Sequence, residues 1–163
     1  MRKNLQQDIM AMGGDIVASD RFDRAQTVPH HAKGENIQTH SLETAGLALV
    51  IARLLERRGI MMNETDVVRA SLLHDIGMTE ERVSGRPSYV KAYSHPREGV
   101  RIAREEFSAN KNQVNAIAHH MWPICIVPPR TREGWTVLAA DKLCSMAEAY
   151  KNVKKRINRA IGN

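Results

Sequence analysis

Apolar residues recur along most of this chain at the spacing of an α-helix. Between residues 39 and 58, Leu42, Ala45, Leu49 and Ala52 share one helical face, and Gly59 is expected to end the helix. The following segment is dense in apolar residues from 67 to 76, which predicts a buried second helix. Asn63 is expected to cap the start of this second helix, and Gly77 is expected to end it.

The second half of the chain predicts three further core helices. Residues 79–93 are interpreted as a loop, after which Ser94 is expected to cap a third helix with Pro96 in its first turn. A fourth helix is predicted to end before Pro123, and Thr131 is expected to cap a fifth. The buried stripe of that fifth helix is predicted to consist of Trp135, Leu138, Ala139, Met146 and Tyr150.

These elements predict an all-α fold, a helical bundle of five core helices in a single domain covering residues 1–163. The core is expected over about residues 38–150, with residues 1–37 as a lead-in and residues 151–163 as a basic terminal helix. The run ICIVPP has apolar residues but lies between prolines, so it is interpreted as extended loop. A chain of 163 residues is long enough to bury a core without disulfides.

Composition narrows the class of protein. Hydrophobic residues make up 42% and charged residues 26% of the chain, which is typical of a folded globular protein. No apolar stretch has the length of a membrane span and no signal peptide is apparent, so a cytoplasmic location is expected. The net charge is +6, and the basic residues after position 150 are interpreted as a solvated helix face rather than a nucleic-acid site. Cys125 and Cys144 form no metal-binding pair motif.

Histidines and aspartates stand near the junctions of the predicted helices. His40 lies near the start of the first, His74 and Asp75 near the end of the second, and Asp141 within the fifth. His95 opens the third helix, and the fourth ends on the adjacent pair His119 and His120. Imidazole and carboxylate groups are preferred ligands of divalent transition metals, and one carboxylate can bridge two ions. The alternative interpretation is a buried hydrogen-bonded network of histidine and aspartate.

The order of these residues resembles a known family. The run SLLHDIGM contains His-Asp followed by Ile-Gly, the signature of the HD superfamily of metal-dependent phosphohydrolases, and THSLETA is similar to the family's first metal-histidine segment. The resemblance covers about Gln38 to Tyr150, and the order H…HD…H…HH…D is similar to that of binuclear members. No GYP sequence follows the histidine pair, so the cyclic-di-GMP specificity associated with that signature is not implied.

The resemblance implies an HD-domain fold with two metal sites that share Asp75. The first site would consist of His40, His74, Asp75 and Asp141, and the second of Asp75, His95, His119 and, as a further candidate, His120. Iron or manganese is the expected metal, with nickel, cobalt, zinc and magnesium left open. His30 and His31 precede the family pattern and are assigned structural or peripheral roles.

The predicted function is hydrolysis of a phosphomonoester or phosphodiester by a water molecule that two metal ions activate. Asp75 and Lys142 are the expected catalytic residues. The candidates for binding substrate phosphate are Lys142, Arg97, Arg130 and Arg132. The expected partner is a small, nucleotide-like phosphorylated substrate, without membrane or nucleic acid, and homo-oligomerisation is left open.

Two other functions remain open at the level of sequence. Some HD-fold proteins, such as myo-inositol oxygenase, resemble this chain in the order of their ligands but hold two irons that activate dioxygen. A metal-binding signalling module without turnover is the third interpretation. Iron-dependent oxygen consumption would indicate the oxygenase, whereas anaerobic phosphate release with manganese would indicate the hydrolase.

Overall fold

The computed structural model describes residues 2–30, 36–80, 83 and 85–160. Their regular structure is helical, apart from an isolated bridge between Pro29 and Asn36, which confirms the all-α prediction. Two short 3₁₀ turns cover Ala25–Thr27 and Ile76–Thr79. The helices are α1 (Arg2–Val17), α2 (Asp20–Arg24), α3 (Ile37–Glu56), α4 (Glu64–Leu73), α5 (Ser88–Phe107), α6 (Lys111–His119) and α7 (Arg132–Ala160). None of these helices is long and apolar enough to cross a membrane.

Helices α3, α4 and α7 pack against one another and form the centre of the bundle. Helix α6 packs on α4 and α7, while α5 packs on α6 and on the 3₁₀ turn that follows α4. The apolar core between them is fully buried and includes Leu49, Leu72, Leu73, Ile102 and Ile117. This arrangement brings the start of α3, the end of α4, the middle of α5 and the end of α6 to one side of α7.

The predicted caps of α4 and α7 and the predicted end of α3 are confirmed. The side-chain oxygen of Asn63 accepts a hydrogen bond from the backbone nitrogen of Asp66 at 3.0 Å, which satisfies an amide in the first turn of α4. Thr131 accepts from the backbone nitrogen of Gly134 at 3.0 Å in the same way. Gly59 follows α3 with φ of 82°, a conformation that glycine adopts without steric cost.

The predicted start of the third core helix was wrong. Helix α5 begins at Ser88, and Ser94 is no cap, since its hydroxyl donates to the carbonyl of Val90 at 2.9 Å within the helix. Pro96 lies inside α5 and cannot donate to the carbonyl four residues earlier, that of Ala92. The thiol of Cys125 donates to that carbonyl at 3.6 Å, so a tertiary contact replaces the missing backbone donor.

The buried face predicted for the fifth core helix was also wrong in part. Leu138 is buried, but Trp135, Met146 and Tyr150 are 43%, 67% and 69% exposed. The face of α7 that enters the core carries polar residues, among them Asp141 and Glu148. Apolar residues therefore lie on both the buried and the exposed sides of α7, and their spacing alone did not identify the buried side. The predicted terminal helix is the last part of α7, which continues without a break to Ala160.

The N-terminal lead-in is helical and contributes to the core. Helix α1 packs on α4, and Ile9, Ile16 and Phe22 are buried among the core residues. Arg53 of α3 forms an ion pair with Asp8 of α1 at 2.7 Å. The segment before the first predicted helix is thus part of the same packed structure.

Candidate metal centre

Six residues from five parts of the chain converge on one buried point at the side of the bundle. His40 lies in the first turn of α3, and His74 and Asp75 directly follow α4. His95 lies within α5, His120 directly follows α6, and Asp141 lies within α7. The most exposed of the six, Asp75, is only 7% accessible. The residues that come together are His40, His74, Asp75, His95, His120 and Asp141.

The two carboxylate oxygens of Asp75 face different sets of imidazoles. Oδ2 lies 3.4 Å from Nε2 of His74 and 3.5 Å from Nε2 of His30. Oδ1 lies 3.2 Å from Nε2 of His95 and 3.4 Å from Nε2 of His120. Asp75 therefore stands between two groups of nitrogen donors and presents one oxygen to each.

Backbone carbonyls fix the orientation of three of these imidazoles. Nδ1 of His74 lies 2.7 Å from the carbonyl of Ser71, Nδ1 of His95 lies 2.6 Å from that of Lys91, and Nδ1 of His120 lies 2.8 Å from that of Ile117. A carbonyl only accepts, so each Nδ1 donates its proton. In the neutral ring Nε2 then carries a lone pair.

The inward-facing Nε2 atoms of these three rings have no hydrogen-bond donor among the described residues when the rings are neutral. Nε2 of His95 and Nε2 of His120 are 2.9 Å apart, so two lone pairs face each other when both rings are neutral. Nε2 of His74 is buried and has no hydrogen-bond partner in the described part of the chain. Buried lone pairs and carboxylates in contact are unfavourable unless a cation lies among them. The donor set thus fits a divalent transition metal.

Nitrogen and oxygen donors lie close enough for metal binding in three overlapping groups among the described residues. The donor atoms of each group lie within 4.8 Å of one another. The groups are His40, His74 and Asp141; Asp75, His95 and His120; and His30, His40 and Asp75.

Both carboxylates are held in the ionised form. Burial alone would raise the pKa of Asp75, but His74 and the other imidazoles that face it lower that pKa well below its usual range. Burial likewise opposes ionisation of Asp141, while the neighbouring imidazoles of His40 and His74 lower its pKa well below the usual value. The centre therefore carries negative charge available to a cation.

A cavity of about 400 Å³ opens beside the centre. Asp75, His95 and Asp141 form part of its wall. Lys142 also lines it, and its ammonium group lies 2.7 Å from Oδ2 of Asp141. The other lining residues are both polar and apolar, and include Lys91, Ser88, Ser145, Met78, Met121 and Ile124.

Four residues that the sequence assigned to the site lie elsewhere. His119 is half-buried and belongs to none of the three donor groups, because consecutive side chains on a helix diverge by about 100° and His120 points inward. Arg97, Arg130 and Arg132 are exposed and do not line the cavity. The guanidinium of Arg132 instead donates to the carbonyl of Met61 at 3.1 Å.

The sequence interpretation missed two residues at the centre. His30, predicted to be peripheral, is 8% exposed and lies beside Asp75, whereas His31 lies outside the described residues. Glu148, 2% exposed, contacts both His30 and His40. Its position seven residues after Asp141 places it two turns along the same face of α7, a spacing that could have identified it. For His30 no sequence pattern gave a comparable signal.

The fold and this site define an all-helical protein with a buried histidine and aspartate centre suited to metal ions. The family model described as HD domain matches residues 37–146. The chain therefore belongs to the HD-domain family, and with it to the superfamily of metal-dependent phosphohydrolases.

A more specific comparison covers part of the chain. Over 91 residues it is 37% identical to Ribonuclease Y of Thermus thermophilus. The matched region is 55% of this chain and 13% of that protein, so the chain corresponds to a small part of its relative. No solved structure matches the chain.

Proposed function

We propose that this protein hydrolyses phosphoesters with two divalent cations bound at the centre around Asp75. The observation that carries the proposal is the orientation of the donors. Asp75 directs one oxygen toward His74 and the other toward His95 and His120, and the Nε2 atoms of these rings face inward. Such a set is suited to two ions joined by one carboxylate.

The proposed ligands divide between the two ions. His40, His74, Asp75 and Asp141 would hold the first ion, and Asp75, His95 and His120 the second. His119 is left out of this set because its side chain lies outside the donor groups. Iron or manganese is the proposed metal, since both accept mixed nitrogen and oxygen ligands and leave positions open for substrate.

The residues around the cavity supply the remaining parts of the reaction. Divalent cations, when bound, acidify a water molecule and neutralise charge on the phosphoryl group. Lys142 faces the cavity beside Asp141 and would bind a phosphate oxygen without being a ligand itself. Lys91 lines the same cavity and would offer a second positive charge. Both lysines would hold the phosphoryl group in line for attack.

The cavity supports a small substrate. A volume of about 400 Å³ falls in the range of small-molecule sites. Met78, Met121 and Ile124 give it an apolar wall that suits a nucleobase or another apolar group. A nucleotide or similar phosphoester is therefore the proposed substrate. Similarity to Ribonuclease Y favours an RNA phosphodiester as a second candidate.

The test combines metal analysis with a substrate panel. Protein purified without chelator should contain one to two equivalents of transition metal. Under anaerobic conditions with Mn²⁺, it should release phosphate from nitrophenyl phosphate or a mononucleotide, or hydrolyse a cyclic nucleotide or a short RNA to phosphomonoester products. Full activity of metal-free protein in excess chelator would contradict the proposal. Iron-dependent oxygen consumption without hydrolysis of any of these phosphoesters would replace it with the oxygenase interpretation.

Two variants distinguish a bridging carboxylate from a single metal site. Asp75→Ala should remove metal from both sites and abolish turnover, because Asp75 faces both groups of donors. His95→Ala should mainly empty the second site and leave about one equivalent, since it contacts only one oxygen of Asp75. Equal, partial loss of metal in both variants would contradict the bridging role.

A further inference from the structure

A second carboxylate, Glu148, holds two histidines at the inner edge of the centre. Its Oε1 lies 2.7 Å from Nδ1 of His40, and its Oε2 lies 2.8 Å from Nδ1 of His30. All three side chains are at most 3% exposed. Each oxygen of an ionised carboxylate accepts, so both imidazoles donate from Nδ1.

The two imidazoles held by Glu148 are parallel. Their ring centroids are 3.8 Å apart and their planes differ by 17°. Since Nδ1 of each ring points at the same carboxylate, Nε2 of each ring points away from it, toward the aspartates. Nε2 of His40 lies 3.2 Å from Oδ1 of Asp141, and Nε2 of His30 lies 3.5 Å from Oδ2 of Asp75.

Backbone contacts between the segment that contains His30 and the start of α3 place His30 at this position. The bridge between Pro29 and Asn36 and the hydrogen bond from Ile37 nitrogen to Val28 oxygen at 3.0 Å join the segment to the start of α3. His30 therefore lies beside His40, although ten positions separate them in the sequence. Donor atoms of His30, His40 and Asp75 lie within 4.8 Å of one another.

We propose that His30 is an additional ligand of the first metal ion, and that Glu148 is a positioning residue that presents both His30 and His40 to it. This inference rests on the proposed function, since it assumes an ion among His40, His74 and Asp141. A neutral imidazole that donates from Nδ1 to a carboxylate is the usual form of a metal-bound histidine. Glu148 imposes that form on two ligands at once.

Metal affinity of purified variants tests the proposal. Competition with a fluorescent chelator gives the dissociation constant of Mn²⁺ for wild type and for His30→Gln and Glu148→Gln. In Glu148→Gln one oxygen is replaced by an amide donor, so one imidazole loses its acceptor and its preferred tautomer. We expect the constant for the ion of the first site to rise about 10–100-fold in Glu148→Gln, the usual effect of losing such a partner. In His30→Gln we expect at least a tenfold rise.

His119→Gln is the matched control, because it makes the same substitution at a histidine that the structure places outside the donor groups. It should keep wild-type affinity. Wild-type affinity in His30→Gln would overturn the inference while leaving the proposed function intact. Absence of metal binding in wild type would instead overturn the proposed function.

A measurement on wild type keeps the test valid if a variant does not fold. Histidine ¹⁵N spectra recorded with and without Zn²⁺ report the state of each ring nitrogen. Nε2 of His30 should shift on zinc addition to the range of a metal-bound nitrogen, with Nδ1 protonated throughout. An unchanged Nε2 resonance of His30 at saturating zinc would overturn the assignment.

Discussion

The orientation of the imidazoles at the centre depends on hydrogen bonds at their outer nitrogen. His74, His95 and His120 donate from Nδ1 to backbone carbonyls of their own helices, at separations of three or four residues. His40 donates instead to the carboxylate of Glu148. In each case the hydrogen bond fixes the tautomer and the ring direction before any ion binds, which reduces the entropy that binding must overcome.

Also at the residue scale, a variant of Lys142 tests phosphate binding independently of metal binding. Its ammonium group contacts Oδ2 of Asp141, while Oδ1 of Asp141 faces His40 and His74. Lys142→Ala should therefore leave the metal content and the fold nearly unchanged. Turnover or substrate affinity should fall about 10-fold or more, in line with the 1.5–3 kcal/mol of a charge-assisted hydrogen bond, with a smaller loss for less charged substrates.

Steady-state kinetics on monoester and diester substrates, together with elemental analysis, check this prediction. Arg97→Ala serves as the control, because Arg97 is exposed and does not line the cavity. Wild-type kinetics of Lys142→Ala on both substrate types would show that the lysine has no part in phosphate binding.

At the scale of elements, the centre depends on how closely α5 approaches the turn after α4. Gly77 in that turn lies against the backbone of His95 and Gly99 in α5, and a β-carbon built on Gly77 would come within 2.1 Å of the carbonyl oxygen of His95. The backbone at this contact is that of His95 itself, the residue whose side chain faces Asp75. The absence of a side chain at Gly77 therefore allows α5 to place His95 against Asp75.

Gly77→Ala should destabilise the protein by about 1–3 kcal/mol or more, the usual cost of overpacking, because the clash is with backbone that cannot rotate away. It should also displace His95 and lower occupancy of the second metal site. Urea denaturation and elemental analysis measure the two effects.

In the control Gly46→Ala, the new methyl group meets only Leu5 and Ile9 at 3.6 and 3.9 Å. A helical alanine there should stabilise by about 0.5–1 kcal/mol. Equal stability of the two variants would contradict the argument.

At the scale of the whole molecule, the centre joins elements that are far apart in the sequence. Its proposed ligands come from α3, the end of α4, α5, the end of α6 and α7, so an ion bound there contacts most of the bundle. The unfolded chain cannot assemble this set. Metal binding should therefore stabilise the folded state selectively.

Removal of metal should lower the thermal unfolding midpoint. A free metal concentration 100 times the dissociation constant stabilises by about 2.7 kcal/mol, which corresponds to about 5–10 °C for a chain of this size. Differential scanning calorimetry with Mn²⁺ and with excess chelator measures the shift. Asp75→Ala should show the same midpoint in both conditions. A wild-type midpoint that does not change with metal would contradict the proposed coupling.

Much of the secondary structure could be predicted from the sequence, because its causes are local. The helix caps at Asn63 and Thr131 and the stop at Gly59 depend on residues a few positions apart. The order of histidines and aspartates likewise predicted a site of His40, His74, Asp75, His95, His119, His120 and Asp141, and of these the structure leaves only His119 outside the donor groups. The start of α5 escaped prediction because Pro96 was expected in a first turn, whereas the helix continues on both sides of it and the carbonyl of Ala92 accepts from Cys125, which is distant in the sequence.

The sequence by itself thus determined the helical class, the caps and the group of helix-junction residues, since periodicity and capping act within a few residues. Only the tertiary structure decided that His120 and not its neighbour His119 points inward, that α7 buries Asp141 and Glu148 while it exposes Trp135, Met146 and Tyr150, and that Glu148 joins His30 to His40. The physical reason is that a buried hydrogen bond between distant residues depends on how helices pack. Packing is a property of the whole chain, which no local pattern contains.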